Sequence, residues 1–143
     1  MSETRKLGRL ADVVTRRVGD LTAAECPSRS VLDHVTSRWG VLVLVILLER
    51  THRFSELRKR VGGVSEKMLS QTLHALEEDG FVLREAYAVV PPRVDYSLTP
   101  LGHGVAVHLE QLTDWIEENV TRVMSARAKH AKKRAAKASS LVI

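Results

Sequence analysis

Apolar residues recur every three or four positions along most of the chain, as they do in amphipathic α-helices. This spacing predicts an N-terminal helix over residues 1–20, with apolar positions at Leu7, Leu10, Val13, Val14 and Val18. Cys26 and Pro27 then predict a second helix, because proline is favoured at the first helical position and leaves Cys26 as the N-cap. The nearly continuous apolar run from Trp39 to Glu49 predicts a third helix that is buried on most sides.

Two more helices are predicted before the middle of the chain ends. A short one starts near Ser55 and is broken by Gly62 and Gly63. The next has Ser65 as its N-cap and ends just before Gly80.

The pattern changes to strict alternation after Gly80, which predicts two strands, Phe81–Tyr87 and Arg93–Leu98. Pro91 and Pro92 lie between the strands, and proline is excluded from strand interiors because it cannot donate to a β-ladder. The sequence therefore predicts a β-hairpin with a stiff tip, followed at once by the cation of Arg93.

A last helix opens at Thr99 and Pro100, and its apolar positions repeat about every 3.5 residues, which suits a helix–helix seam. These positions are Leu101, Val105, Leu109, Leu112, Ile116, Val120 and Val123. Residues 126–143 contain few large apolar side chains and are predicted to be a basic tail, either a solvated helical extension or a frayed end.

The helix that starts after Ser65 has two unlike faces. Leu69, Leu73 and Leu76 fall within about 60° of one another on a helical wheel. The opposite face presents Lys67, Ser70, Gln71 and His74, together with Glu78. These polar groups are able to contact base edges and phosphates in a major groove, although a polar outer face is also ordinary for any surface helix.

The order of elements decides between these two interpretations. Three helices, a helix with this polar face and a hairpin with a cationic tip follow the order of a winged helix-turn-helix. The candidate DNA-binding residues are Ser65, Lys67, Ser70, Gln71, His74 and Arg93. The stiff hairpin tip is expected to place Arg93 beside the helix that starts after Ser65, where it contacts phosphate or enters the minor groove.

Four motifs lie in order between Cys26 and about Glu118: C-P-x-x-x-x-L-D, R-F-S-E-L, S-x-K-x-L-S-Q-x-L-x-x-L-E-E-D-G and V-P-P-R-V-x-Y-S-L-T-x-x-G. Together they resemble the HxlR-type winged-helix regulators, relatives of the MarR group. The resemblance implies a dimeric bacterial transcription factor in which the helix after Ser65 reads DNA, the hairpin is the wing and the terminal helices pair two subunits. Family members often carry arginine where this chain has Thr72 or His74, so an altered operator or affinity is expected.

Charge is distributed unevenly along the 143 residues. The net charge of +5 combines +7 from residues 122–143 and +2 from residues 1–20, so residues 21–121 carry −4. The basic balance is therefore a property of the ends, and DNA binding must be argued from a local surface. The longest apolar run, Val41–Leu48, is too short to span a bilayer, and the N-terminus lacks a signal-peptide run, so a cytoplasmic protein without membrane contact is expected.

Cys26 is the only cysteine, and a thiol at a helix N-cap is favoured in its reactive, ionised form. Some members of the resembled family sense oxidants or electrophiles with this cysteine. The alternative is a small buried residue with inert sulfur.

The six histidines are scattered, with no pair at the i, i+3 or i, i+4 spacing of a helical metal site. Nor does the sequence contain G-x-S-x-G, a P-loop or G-x-G-x-x-G. We therefore expect neither a metal site, nor a cofactor, nor an enzyme.

The resulting prediction is a mainly α protein with a small β-hairpin, a winged helix-turn-helix with flanking N- and C-terminal dimerisation helices. It divides the chain into an N-terminal helix (1–20), a winged-helix domain with its dimerisation helix (21–125) and a basic tail (126–143). The predicted function is sequence-specific, homodimeric binding of a pseudo-palindromic double-stranded operator to regulate transcription, with a redox or electrophile response through Cys26 or, failing that, an unknown inducer. The alternatives are a winged-helix regulator switched by a small ligand or metal, and a winged helix that binds protein.

Overall fold

The computed structural model of the chain describes residues 20–141. Within that range the elements are, in order, α1 (Pro27–Thr36), α2 (Arg38–Leu47), β1 (His52–Arg53), α3 (Phe54–Arg60), α4 (Glu66–Glu78), β2 (Val82–Tyr87), β3 (Arg93–Leu98) and α5 (Pro100–Leu141). The mainly helical fold with a small antiparallel sheet is confirmed. The helix predicted over residues 1–20 lies outside the described residues, apart from Asp20.

The sheet has three strands in the order β1-β3-β2, one more than the predicted hairpin. The additional strand β1 is two residues long, and His52 pairs with Tyr96 while Arg53 pairs with Asp95. A two-residue strand is too short to show alternation, and its partner lies more than forty residues further along the chain, so the sequence pattern did not reveal it. The hairpin itself pairs Val82 with Leu98 and Tyr87 with Arg93, so β2 begins one residue later than predicted.

The helix starts follow the predicted capping chemistry. The Ser65 hydroxyl accepts a hydrogen bond from the Met68 amide at 3.1 Å, and the Thr99 hydroxyl accepts one from the Gly102 amide at 3.0 Å. Ser37 caps α2 in the same way, a role that the sequence analysis did not assign. Helix α3 begins at Phe54 instead of Ser55, because the Glu56 carboxylate accepts a hydrogen bond from the Arg53 amide and completes the first turn one residue earlier.

The core lies where α4 packs against α1, α2 and β2. Its most completely buried leucines, each at most 1% exposed, are Leu44, Leu57, Leu69, Leu73 and Leu76. Burial of each such side chain stabilises the fold by about 1.5–3 kcal/mol relative to exposure. Three of the five lie on α4, so the apolar stripe predicted for this helix fixes which of its faces is left to solvent.

Helix α5 is divided between two compact units, with residues up to Val107 in the first and residues from His108 in the second. In the first unit, Thr99 joins the start of α5 to the end of α4, since its hydroxyl donates a hydrogen bond to the Gly80 carbonyl at 2.6 Å. In the second unit the helix is continuous to Leu141, so the described part of the predicted basic tail is a helical extension.

Candidate nucleic-acid interface

A glycine turn sets the angle at which α4 leaves α3. Gly63 has φ +84°, a left-handed conformation that residues with a side chain rarely adopt. Ser65 then starts α4, and the preceding α3 ends at Arg60. The result is a short helix, a tight turn and a 13-residue helix backed by leucines, which is the geometry of a helix-turn-helix unit.

The C-terminal end of α4 is closed by a second left-handed glycine. Gly80 has φ +81°, the Phe81 amide donates to the Leu76 carbonyl and the Gly80 amide donates to the Glu77 carbonyl. These two bonds form a Schellman motif, which satisfies carbonyl groups that a helix end otherwise leaves open. Just before it, the Asp79 carboxylate accepts a hydrogen bond of 2.5 Å from the His34 ring, so α4 is also tied to α1.

The outward face of α4 carries the residues that the sequence predicted. Lys67, Ser70, Gln71 and His74 are all exposed, and each is on the side away from the buried leucines. Ser65 is exposed at the N-terminus, with its hydroxyl engaged in the cap. The structure therefore leaves five of the six predicted DNA-binding residues exposed, four of them on the side of α4 away from the leucines.

His74 has a partner on this same face. Its Nε2 lies 2.9 Å from a carboxylate oxygen of Glu78, one helical turn along, and both side chains are about two-thirds exposed, 68% and 65%. Two carboxylates at the end of α4 thus have different partners. Asp79 pairs with His34 of α1, while Glu78 pairs with His74 on the exposed face. Carboxylates repel phosphates, so the first two turns of α4, before Glu78, offer the better surface to a nucleic acid.

Arg93, the sixth predicted residue, does not lie beside α4. Side chains alternate between the faces of a strand, and Arg93 shares its face with Tyr87 and Asp95. That face lines a cleft with residues 50–53 and Glu56, whereas the opposite face is directed to α4. The expectation that Arg93 sits next to the reading helix is corrected by this register.

A cation that the sequence analysis did not select occupies the place expected for Arg93. Arg84 of β2 is exposed, and it lines one cleft together with Ser70 and His74 of α4. Arg84 pairs with the buried Tyr96 across the hairpin, which fixes the face it occupies. The available signal was the two-residue spacing from the buried Val82, since alternate residues of a strand share a face.

The Arg93 guanidinium is held in a fixed geometry. It donates two hydrogen bonds to the Asp95 carboxylate, of 2.8 and 3.0 Å, and it lies 5.0 Å from the centre of the Tyr87 ring. The hydrogen bonds from Arg93 hold the pKa of the Asp95 carboxyl below its ordinary value, against the opposing effect of burial. Tyr87 in turn donates a hydrogen bond to Glu85, which raises the pKa of its phenol.

Cys26 occupies the predicted N-cap position of α1, with Pro27 as the first helical residue. Its side chain is buried, at 7% exposure. An oxidant in solution therefore has only limited access to the sulfur in this conformation.

Two further properties concern the described part of the chain. Over residues 20–141 no single helix is long and apolar enough to cross a membrane, and α1 and α2 meet that criterion only together, as a pair bent by 71°. In the same range, no three histidine, cysteine or carboxylate side chains are grouped as they are around a metal ion.

A glycine turn between two helices, a leucine-backed second helix with an exposed polar face and an adjoining antiparallel wing define a winged helix-turn-helix protein. Comparison with known proteins narrows this class. Residues 34–124 match the family model described as HxlR-like helix-turn-helix. The chain belongs to this family, so the resemblance found in its motifs is confirmed.

The relatives are transcriptional regulators. The chain is 62% identical to the uncharacterized HTH-type transcriptional regulator YtfH of Escherichia coli (strain K12), over 113 residues that cover 79% of this chain and 90% of that protein. It is 36% identical to the uncharacterized HTH-type transcriptional regulator YdeP of Bacillus subtilis (strain 168), over 68% of this chain and 77% of that protein. The family and these relatives indicate a DNA-binding transcriptional regulator and give no indication of an enzyme.

Solved structures agree with the assignment. The structure of ytfH from Salmonella typhimurium is 61% identical, with a TM-score of 0.74, and the match covers 76% of this chain and 96% of that one. The redox regulator HypR in its reduced form is 33% identical, with a TM-score of 0.63, over 69% of this chain and 98% of that one.

Proposed function

We propose that the protein is a homodimer that binds a specific double-stranded operator in the cytoplasm and regulates transcription. The observation that carries this proposal is the exposed face of α4, where a cation, a hydroxyl, an amide and an imidazole stand on a helix fixed by three buried leucines. A rigid helix that needs no rearrangement loses little entropy on binding. Its first turns enter the major groove, where each base pair presents a distinct set of donors and acceptors.

Each residue of this face has a role that its chemistry fits. Gln71 has both a donor and an acceptor and pairs with N6 and N7 of adenine, while Lys67 contacts a guanine edge or a phosphate. Ser70 and His74 contact neighbouring base edges or phosphates. Ser65 places the free amides of the α4 N-terminus near a phosphate, since a helix N-terminus attracts anions.

The wing contributes through two arginines on opposite faces. Arg84 lines the cleft beside Ser70 and His74 and contacts the phosphate that flanks the reading helix. Arg93 contacts a second phosphate or the minor groove from the other face of the wing, near the exposed Val90 at its tip. Because Asp95 already pairs with Arg93, the contribution of Arg93 to DNA affinity is smaller than that of an unpaired arginine.

Dimerisation is supported by an apolar stripe on α5. Within the second unit, Leu112, Ile116, Val120 and Val123 are between 39% and 48% exposed, and they repeat at the spacing of a helix–helix seam. We assign the seam, with residues 1–20, to the contact between two subunits, and residues 126–143 to a separate basic tail. Two α4 helices then read half-sites about one helical turn, roughly 10 base pairs, apart on a pseudo-palindrome.

Selection from random duplexes tests this function. The wild-type chain should enrich a pseudo-palindromic motif, and Gln71→Ala should retain binding but lose preference at one position in each half-site, at a cost of about 1–3 kcal/mol per lost contact. Gln111→Ala makes the same chemical change at an exposed position of α5 and should leave the motif unchanged. If the wild-type chain enriches no motif, or if Gln71→Ala selects the same sequences with the same affinity, the proposal is wrong.

We also propose that Cys26 makes operator binding responsive to oxidants. Two observations support it: Cys26 stands at a helix N-cap, and the relative HypR is named a redox regulator whose reduced and oxidized forms both have structures. With hydrogen peroxide, the Cys26 thiolate would attack one oxygen, forming a sulfenic acid and releasing hydroxide. A second thiol could then condense with the sulfenic acid, releasing water and forming a disulfide, either with Cys26 of a second subunit or with a small thiol.

The Cys26 proposal is tested by operator affinity before and after peroxide or diamide. The wild-type chain should lose or gain affinity and recover when dithiothreitol is added, while Cys26→Ser should not respond. An equal response of both proteins removes the sensor role and leaves Cys26 as a packing residue. Operator binding that changes with a small ligand or metal, and not with oxidants, would favour the alternative of a regulator switched by that ligand or metal.

A further inference from the structure

One face of α5 is apolar as far as Val123 and becomes basic from Arg127 onward. Ile116, Val120 and Val123 occupy one face of α5 at alternating spacings of four and three residues. The same alternation continues without interruption through four basic residues, Arg127, His130, Arg134 and Lys137. Arg127, His130 and Arg134 line one surface of the helix with Val123, so the change from apolar to basic occurs within a single continuous face.

A seam between two copies of the helix cannot extend past Val123 on this face. Continuation would place Arg127 and Arg134 of each subunit at positions where coiled-coil helices bury apolar side chains. Cations in such positions lose hydration without gaining a partner of opposite charge. The basic segment 125–141 therefore lies outside the proposed seam between two subunits.

This segment lies outside the part of the chain that matches the family. The HxlR-like match ends at residue 124, and the basic segment begins immediately after it. Six lysines and arginines and no acid lie between residues 125 and 141. All of these residues are exposed.

The cations of this segment repel one another, and a bound polyanion would relieve that repulsion. Lys133 lies one helical turn from both Lys129 and Lys137. Like charges at this spacing destabilise a helix, and the sequence supplies no carboxylate there to compensate them. A bound polyanion would neutralise the cations and favour the helix at the same time.

We propose that residues 125–141 bind the phosphate backbone of duplex DNA without sequence preference. Duplex DNA is the polyanion that the proposed function brings to the protein, and in that respect this inference rests on the proposed function. The segment is about 25 Å long as a helix, a length along which DNA presents many phosphates. A membrane surface fits less well, because the side opposite the cations carries only small residues such as Ala128 and Ala135, with no large apolar group to insert.

The test measures how the affinity for a 30-base-pair random duplex depends on salt. A full-length variant changes the six cations of the segment to glutamine, which retains helix propensity; these are Arg127, Lys129, Lys132, Lys133, Arg134 and Lys137. Affinity for the random duplex at about 50 mM salt should fall at least tenfold, and the slope of log K against log salt should become shallower by about 0.9 for each lost phosphate contact. A charge-conserving control exchanges lysine for arginine and arginine for lysine at the same positions and should keep the wild-type slope.

Three results would overturn this inference. They are an unchanged slope in the glutamine variant, tighter binding of the full-length wild-type protein to vesicles rich in anionic lipid than to the duplex, and tighter binding of that protein to single-stranded RNA than to the duplex. A smaller variant, Lys132→Gln with Lys133→Gln, should show an intermediate slope, and circular dichroism verifies that both variants keep the thermal transition of the wild-type protein.

The outcome separates this inference from the proposed function. Gln71→Ala should alter motif preference and leave the salt dependence for random duplex intact. A wild-type motif combined with an unchanged slope in the glutamine variant would reject the role of the basic segment alone. A shallower slope without any enriched motif would reject sequence-specific reading alone.

Discussion

Arg93 donates two hydrogen bonds to the carboxylate of Asp95, two residues along the same strand, at 2.8 and 3.0 Å. The carboxylate side chain is only 10% exposed, whereas the arginine is 43% exposed. The exposed part of the Arg93 guanidinium is therefore accessible to a ligand, while its other edge is paired with the carboxylate of Asp95. A bidentate pair of this kind orients the guanidinium, and it also limits how strongly that guanidinium attracts a phosphate.

Removing the carboxylate should strengthen DNA binding. Asp95→Asn keeps the shape of the side chain and leaves Arg93 without its counter-ion, so we expect affinity for any duplex to rise roughly threefold to tenfold. The slope of log K against log salt should steepen by about 0.9 per subunit. Fluorescence anisotropy with a random duplex measures both quantities.

Asp114→Asn removes one negative charge from an exposed position of α5 and serves as the matched control. Equal gains in affinity for the two variants would show that only net charge matters. Arg93 would then have no direct contact with DNA.

The same pair predicts a dependence of stability on acid pH. Arg93 lowers the pKa of Asp95 in the folded protein, so the folded state retains the ionised carboxylate at pH values where the unfolded chain binds a proton. This stabilisation is complete above the unfolded pKa of about 3.9 and is lost as pH falls through the folded value. The difference in free energy of unfolding between wild type and Asp95→Asn should be constant from pH 5 to 7 and shrink below about pH 4; urea titrations measure it. A difference that grows toward low pH would contradict this linkage.

Two glycines in the first turns of α5 should respond in opposite directions to the same substitution. A Cβ on Gly102 would collide with the backbone of Phe81, while a Cβ on Gly104 would meet no atom within 4 Å. Gly102→Ala should lower the free energy of unfolding by about 1–3 kcal/mol, because α5 and the backbone just before β2 must separate. Gly104→Ala should raise it by about 0.5–1 kcal/mol, the difference in helix propensity. Thermal or urea unfolding of both variants settles the comparison, and equal destabilisation would refute the close approach at Gly102.

The hydrogen bond between His34 and Asp79 should contribute to stability by linking α1 to the end of α4. His34→Ala, Asp79→Ala and the double variant form a mutant cycle with an expected coupling of about 1 kcal/mol in the free energy of unfolding. The cycle is measured near neutral pH by chemical denaturation. Additive effects would mean that the two side chains do not interact in solution.

Local chemistry determined what the sequence was able to predict. Ser65 and Thr99 were identified as N-caps, and both hydroxyls accept the expected amide hydrogen bonds. The stripe of Leu69, Leu73 and Leu76 fixed the buried side of α4, and hence the identity of the exposed side chains. Each of these predictions depends on residues less than four turns apart, so the interacting groups are visible in one short window.

The errors came from contacts between distant segments. Strand β1 exists only because residues 52–53 pair with β3, and no local pattern indicates such a partner. The position of Arg93 depended on the register of β2 against β3, since a shift of one residue would have exchanged the two faces of the wing. Arg84, which lies beside α4, was a different kind of miss, because its two-residue spacing from Val82 is a local signal that was available.

The central claim is that α4 reads base edges in the major groove, and a chemical change in the DNA tests it most directly. Replacing the adenines of a selected operator with 7-deazaadenine removes the N7 acceptor from the major groove and leaves the minor groove as it was. Wild-type affinity should fall by about 1–3 kcal/mol per contacted adenine, whereas Gln71→Ala should show a smaller loss, because the partner of that N7 is already absent. Wild-type affinity that is unchanged by the substitution, or an equal loss in both proteins, would contradict the placement of Gln71 in the major groove.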